Sequence, residues 1–186
     1  MDNLIRLARE FAFNAHQNQK RKVSGELYFT HVEQVAEIVK EAGFSKEIIA
    51  AGYLHDVLED TDVTDQELGS LFGDKVLEYV LANTENKSLS WEERKAETIK
   101  KAKVLPLEFK ALIAADKLDN SRDLLLHKRT HGLKVWDSFN RGADQQAWYY
   151  HHLTNALFKG IDSSIIPSYF HELRHNVDIL FQEELS

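Results

Sequence analysis

Residues 45–60 read Ser-Lys-Glu-Ile-Ile-Ala-Ala-Gly-Tyr-Leu-His-Asp-Val-Leu-Glu-Asp, an apolar segment that closes on an imidazole and three carboxylates. The apolar stretch 48–58 predicts a buried helix, with Ser45 placed to cap it. Helical spacing would stack His55 over Glu59 and Asp56 over Asp60, while Val57 and Leu58 anchor the turn in the core. Like charges held that close repel strongly in a low-dielectric setting unless a cation or a shared proton neutralises them. A divalent ion would relieve the crowding. A solvated helix end, with Glu59, Asp60 and Asp62 simply facing water, is the plainer account of a lone acidic run. Two further residues weigh against it. His31 stands at the start of another periodic segment, and Asp116 ends the apolar run Ala111-Leu112-Ile113-Ala114-Ala115. A carboxylate in such a run needs a positive partner if it is buried. Lys117 is the simplest candidate, but neighbouring residues on a helix do not face one another.

The flanking sequence is helical too. Leu4, Leu7, Ala8, Phe11, Ala12 and Ala15 recur at helical spacing, and so do Val32, Val35, Ala36, Val39 and Ala42, with Gly43 where a left-handed cap belongs. Thr64-x-x-Glu67 and Ser90-x-x-Glu93 have the form of capping boxes. Pro106 and Pro167 suit the first turns of two more helices, the second running to about Phe181. Stretches 20–29 and 126–142 are basic and polar and read as connections. The other histidines considered as ligands, His127, His131, His151, His152, His171 and His175, have no repeated acidic partner spacing and read as ordinary surface or core residues.

Composition narrows the chemistry. The chain has 186 residues, 43% of them apolar, with two prolines, eight glycines and no cysteine. That is enough for one domain, 1–186, with a sizeable core. Without cysteine there are no thiolate metal sites and no disulfides, so any metal must be held by His, Asp or Glu. Few glycines and prolines leave little material for the many turns of a β-sandwich, so an all-α, compact multi-helix bundle is expected. The net charge of −7 argues against nucleic acid or an anionic membrane as partner. A small phosphorylated substrate stays compatible if basic residues cluster, as they do at Lys20-Arg21-Lys22. The longest apolar run is far short of a membrane span, and the first residues lack a signal-peptide layout. A cytoplasmic location is the expectation.

With His31, His55-Asp56 and Asp116 in order, the sequence resembles the HD superfamily of metal-dependent phosphohydrolases. Phe11-Ala-x-x-Ala15-His16, Gln19-Lys-Arg-Lys22, Ser24-Gly25-Glu26-x-Tyr28-x-x-His31, Leu54-His-Asp-Val-Leu-Glu-Asp-Thr61, Phe72-Gly73 and Asp116-Lys-Leu-x-Asn120 are similar to the hydrolase domain of Rel/SpoT proteins and to stand-alone small alarmone hydrolases. Agreement is best over 7–125. The resemblance implies an HD-domain bundle and metal ligands His31, His55, Asp56 and Asp116. It implies Mn²⁺, with Fe²⁺ or another divalent ion as substitutes. Two imidazoles and two carboxylates suit such ions. It further implies that Glu59 and Asp60 orient the attacking water and act as general base. Arg21, Lys22, Asn120 and Tyr150 would contact the nucleotide. The implied reaction is hydrolysis of ppGpp or pppGpp at the ribose 3′ position, giving GDP or GTP and pyrophosphate.

The chain departs from the family pattern at Val23, Leu27, Val32 and Asp119, the last adding negative charge near a site that must admit a polyanion. For that reason two other readings are kept. One is the same fold acting on another phosphorylated nucleotide, such as NADPH at its 2′-phosphate. The other is a nucleotide-sensing domain without catalysis. A synthetase domain would not fit the length.

Overall fold

In the computed structural model, which describes residues 2–182, the 48–58 segment forms two helices instead of one. Helix α3 (Lys46–Leu54) stops before His55, and a short α4 (Val57–Asp60) begins after Asp56. The His55 ring explains the break: its Nδ1 approaches the Gly52 carbonyl at 2.9 Å, the carbonyl that would otherwise continue the ladder. Asp56 then opens the next turn, its carbonyl accepting from the Glu59 and Asp60 N–H groups at 3.1 and 2.9 Å. Met1 and residues 183–186, the ends of the 1–186 span expected to form one domain, lie outside the described residues.

Before α3 come α1 (Asn3–Ala15) and α2 (Phe29–Glu41). Gly43 ends α2 in the left-handed region, φ +80°, where a side chain would be strained. Between α1 and α2 the 20–29 connection is a narrow loop, pinned by an antiparallel bridge between Lys20 and Leu27. After α4 follow α5 (Asp65–Phe72), α6 (Asp74–Asn83) and α7 (Trp91–Val104). Ser90 and Glu93 form the full reciprocal capping box at the start of α7. At α5 the forward half is seen, with the Thr64 hydroxyl accepting from Glu67 N–H at 3.2 Å.

Helix α8 (Leu107–His131) runs through the middle of the bundle and packs on α2, α3, α6 and α10. Its stretch from Lys110 to Asp116 is buried all round, as a helix apolar on every face must be. Pro106 and Pro167 each occupy the N-cap, one residue earlier than expected. The 126–142 connection is corrected by the structure. Helix α8 continues to His131 and a 3₁₀ turn covers Gly132–Ser138, so the irregular part is 139–142. Within this extension Lys128 donates to the Leu180 carbonyl at 2.7 Å. Basic residues near the helix C-terminus also complement its dipole. The chain closes with α9 (Ala143–Phe158), a 3₁₀ turn at Ser163–Ile165, and α10 (Ser168–Leu180). Among the described residues there is no strand beyond the single bridge, so the all-α expectation holds.

Candidate active site

Three elements aim four side chains at one point: α2 carries His31, the α3–α4 turn His55 and Asp56, and α8 Asp116. His31 Nε2 lies 3.4 Å from Asp116 Oδ1 and 3.6 Å from Asp56 Oδ2; His55 Nε2 lies 3.0 Å from Asp56 Oδ2 and 3.9 Å from Asp116 Oδ1. His31, His55 and Asp116 bring their ligand atoms within 4.8 Å of one another. Asp56 falls outside that tight group and accepts from the Tyr28 hydroxyl at 2.5 Å.

The other nitrogen of each ring sets its tautomer. His55 Nδ1 meets the Gly52 carbonyl, and His31 Nδ1 meets Asp119 Oδ2 at 2.6 Å, both acceptors. Each Nε2 therefore turns its lone pair inward. His55 Nε2 is buried without a hydrogen-bond partner despite the nearby carboxylate. An orphaned imidazole nitrogen, a second one beside it and two carboxylates form a donor set that fits a divalent cation. In the absence of one, protons take its place. Burial opposes the charged form of His55, but Asp56 and Asp116 outweigh it and raise its pKa to about 9. Burial likewise opposes the charge on Asp116, and Lys117 and the two histidines hold that carboxyl well below the usual range.

Lys117 overturns the expectation that neighbours on a helix cannot pair: its Nζ reaches Asp116 Oδ2 at 2.7 Å. The side chain is long enough to fold back over its own turn. Asp116 Oδ1 also accepts from Asn120 Nδ2 at 2.7 Å.

The cluster opens into a cleft of about 660 Å³, within the size range of small-molecule sites. Asp56, Glu59 and Asp60 all line it. Because the helix breaks at His55, they do so from a turn and a short helix, and the predicted continuous face does not form. Glu59 is half-buried and accepts from Glu85 N–H at 2.9 Å; burial, reinforced by Asp56, raises its pKa. Asp60 is more exposed and lies 3.3 Å from Lys87 Nζ.

A protein-family model described as HD domain matches residues 8–141. The chain belongs to the HD domain family. The guanosine-3′,5′-bis(diphosphate) 3′-pyrophosphohydrolase MESH1 of Danio rerio is 40% identical over 117 residues, 61% of this chain and 65% of that enzyme, just under two thirds of its length. The crystal structure of lmo0812 from Listeria monocytogenes matches with a TM-score of 0.79 at 45% identity, covering 82% of this chain and 99% of that one. The structure of a metazoan ortholog of SpoT that hydrolyzes ppGpp matches with a TM-score of 0.77 at 27% identity, covering 99% and 97% of the two chains.

In this HD domain the cleft also gathers Arg21, Lys22, Asn120 and Tyr150. Lys22 is exposed, while Arg21 is packed down against α8, its Nη1 2.5 Å from Asp119 Oδ2 and its Nε 3.2 Å from Asp123 Oδ2. Asp119 is therefore neutralised by Arg21 and His31, a correction to its reading as free negative charge. Positive charge is likewise not confined to the loop. Lys87, Arg94, Lys95 and Arg141 form a second basic wall, each paired with a carboxylate of Asp60, Glu85 or Glu92, and no run in the sequence signals it because it is assembled from the turn before α7, α7 itself and the loop before α9. Tyr149 sits on that wall, with Lys95 Nζ 4.8 Å from its ring centre and its own hydroxyl buried and unpartnered. Tyr149 and the second wall have no signal in the sequence; Tyr28 has one in the Tyr28-x-x-His31 motif, and Lys117 has one in the Asp116-Lys-Leu-x-Asn120 motif, where helical geometry argued against its pairing. No described helix is long and apolar enough to cross a membrane.

Proposed function

We propose that this HD domain hydrolyses ppGpp and pppGpp at the 3′ position, releasing pyrophosphate and leaving GDP or GTP, with Mn²⁺ as its ion and the cytoplasm as its place of action. The observation that carries the reading is the convergence of His31, His55, Asp56 and Asp116 beneath a cleft whose lining includes eight Lys and Arg side chains. The resemblance to named ppGpp hydrolases supports the choice of substrate.

His31, His55, Asp56 and Asp116 would hold the ion. Bound there, it would polarise the phosphoryl oxygen and lower the pKa of a water. Glu59, with its proton affinity raised by burial, takes the proton of the attacking water as general base. Asp60, one residue on and nearer solvent, orients that water and passes the proton outward. Water adds to the phosphorus attached to the ribose 3′ oxygen, the bond between that oxygen and phosphorus breaks, and GDP or GTP leaves as its 3′ oxygen takes a proton from solvent to become a hydroxyl. Lys22, Arg21, Asn120 and Tyr150 lie along the nucleotide end of the cleft, where a cationic rim offsets the charge of the polyphosphate. We assign these roles to one HD domain spanning the chain.

The test is pyrophosphate release from ppGpp with Mn²⁺, abolished in Asp56→Ala and Glu59→Ala. Folded, metal-loaded protein that binds ppGpp without product would make it a sensor. Turnover of NADPH in preference to ppGpp on a substrate panel would move the specificity to the 2′-phosphate.

A further inference from the structure

Resting on the metal centre proposed above, we infer that Asp119 is a positioning residue that ties the basic 20–28 loop to the metal site through a single oxygen. Its Oδ2 accepts from His31 Nδ1 at 2.6 Å and from Arg21 Nη1 at 2.5 Å. The first bond orients the imidazole whose Nε2 faces the cation position. The second fixes the loop.

A parallel route reinforces the link. Arg21 Nη2 reaches Asn120 Oδ1 at 3.5 Å, and Asn120 Nδ2 donates to Asp116 Oδ1 at 2.7 Å. The guanidinium, only 9% exposed, thus connects to two residues of the metal centre, His31 through Asp119 and Asp116 through Asn120. Residues 116, 119, 120 and 123 follow the i, i+3, i+4, i+7 pattern, so one stripe of α8 faces both the loop and the metal centre. The loop transmits the link rigidly. Arg21 N–H donates to the Glu26 carbonyl at 2.9 Å, Gly25 N–H to the Arg21 carbonyl at 3.0 Å, and Tyr28 N–H to the Gln19 carbonyl at 2.9 Å. At its far end the Tyr28 hydroxyl bonds Asp56. A hydrogen-bond partner of a metal-ligating histidine typically changes metal affinity 10–100-fold. Here that partner is also the loop's anchor.

Two readouts without turnover test this: calorimetric titration of Mn²⁺ alone into metal-free protein, and amide exchange across 20–28. Asp119→Asn keeps an acceptor but loses the charge. It is expected to weaken Mn²⁺ binding about 10–100-fold and to speed exchange at Arg21, Gly25 and Tyr28. Arg21→Gln is expected to speed the same amides and to weaken Mn²⁺ binding by less than Asp119→Asn does, because the His31–Asp119 bond remains. If Asp119→Asn does not fold, Asp119→Glu, which keeps the charge but displaces it by a methylene, is expected to show both losses in smaller measure. Unchanged Mn²⁺ affinity in the folded Asp119 variant means that Asp119 only anchors Arg21, and unchanged loop exchange means that it only orients His31; either overturns the inference. Parent protein that takes up no Mn²⁺ overturns the metal reading itself, and this inference with it. Loss of ppGpp turnover alone touches neither measurement.

Discussion

At Gly52 helix α3 lies close against Ala36 of α2, and Gly52→Ala tests whether that approach sets the metal centre. A Cβ built at Gly52 would lie 2.8 Å from Ala36 Cα, 3.0 Å from Ala36 N and 3.2 Å from Ala36 Cβ. Ordinary contact begins near 3.4 Å, so the helices must part by about 0.6 Å in an interior that packs like a crystal. The obstacle is backbone, which cannot rotate away. Overpacking of this kind costs about 1–3 kcal/mol, and the better helix propensity of alanine returns up to about 1 kcal/mol. A net loss of about 1 kcal/mol lowers Tm by roughly 2–4 °C for a chain of this length. The consequence reaches the site because α2 carries His31 and the Gly52 carbonyl holds the His55 ring. Separating the helices moves the two imidazoles apart, so Mn²⁺ binding weakens along with stability. Calorimetric unfolding of metal-free protein and Mn²⁺ titration read the two effects separately. A variant as stable as the parent, or more so, would show that propensity wins and that the α2–α3 approach is not tight; that result refutes the reasoning.

The metal-free protein should lose stability as pH rises. His55 has a folded pKa of about 9 against 6.5 for the free side chain, so its contribution, about 3 kcal/mol, is complete below about pH 6.5 and lost as pH rises through 9; a Tm independent of pH across that window contradicts it. Since the ion needs neutral imidazoles, Mn²⁺ binding at pH 7 should release protons, measurable in buffers of different ionisation enthalpy. Glu59→Gln removes the general base and should lower ppGpp turnover about 10²–10⁴-fold with Mn²⁺ affinity retained, as steady-state rates and metal titration will show. Ser90→Ala breaks the capping box of α7 and should lower stability by about 1 kcal/mol, seen as a shift in the denaturation midpoint.

Much of this protein was legible along the chain because the deciding contacts are short-range. Periodicity located α1, α2 and the centre of α8, and Gly43, Ser90 and Glu93 mark ends whose bonds lie within a few residues. Where the reading erred, a side chain intervened in the backbone or a helix found a partner. The His55 ring interrupts the ladder at Gly52, which splits a segment of uniform apolar character. Helix α8 runs past Leu126 where it packs on α10 and Lys128 bonds the Leu180 carbonyl, a contact no local pattern announces.

The candidate site divides along the same line. The residue types His31, His55-Asp56, Glu59-Asp60 and Asp116, with no cysteine to compete, point to a cation held by nitrogen and oxygen, and the resemblance to HD-domain phosphohydrolases adds the phosphate chemistry. Which atoms face inward was decided only by the fold. His31 and Asp119 stand 88 residues apart, and their bond, which fixes one tautomer, exists because α2 crosses α8 at that turn. Lys117 pairs with its neighbour because a flexible side chain, not a helical register, sets its reach. The basic wall of Lys87, Arg94, Lys95 and Arg141 comes from segments that only packing brings together. Sequence by itself indicated α1, α2, the centre of α8 and the kinds of ligand, since these depend on local spacing and side-chain chemistry; the tertiary structure alone decided the α3–α4 break, tautomers, charge pairing and the shape of the cleft, since those depend on side-chain contacts with the backbone and between distant segments.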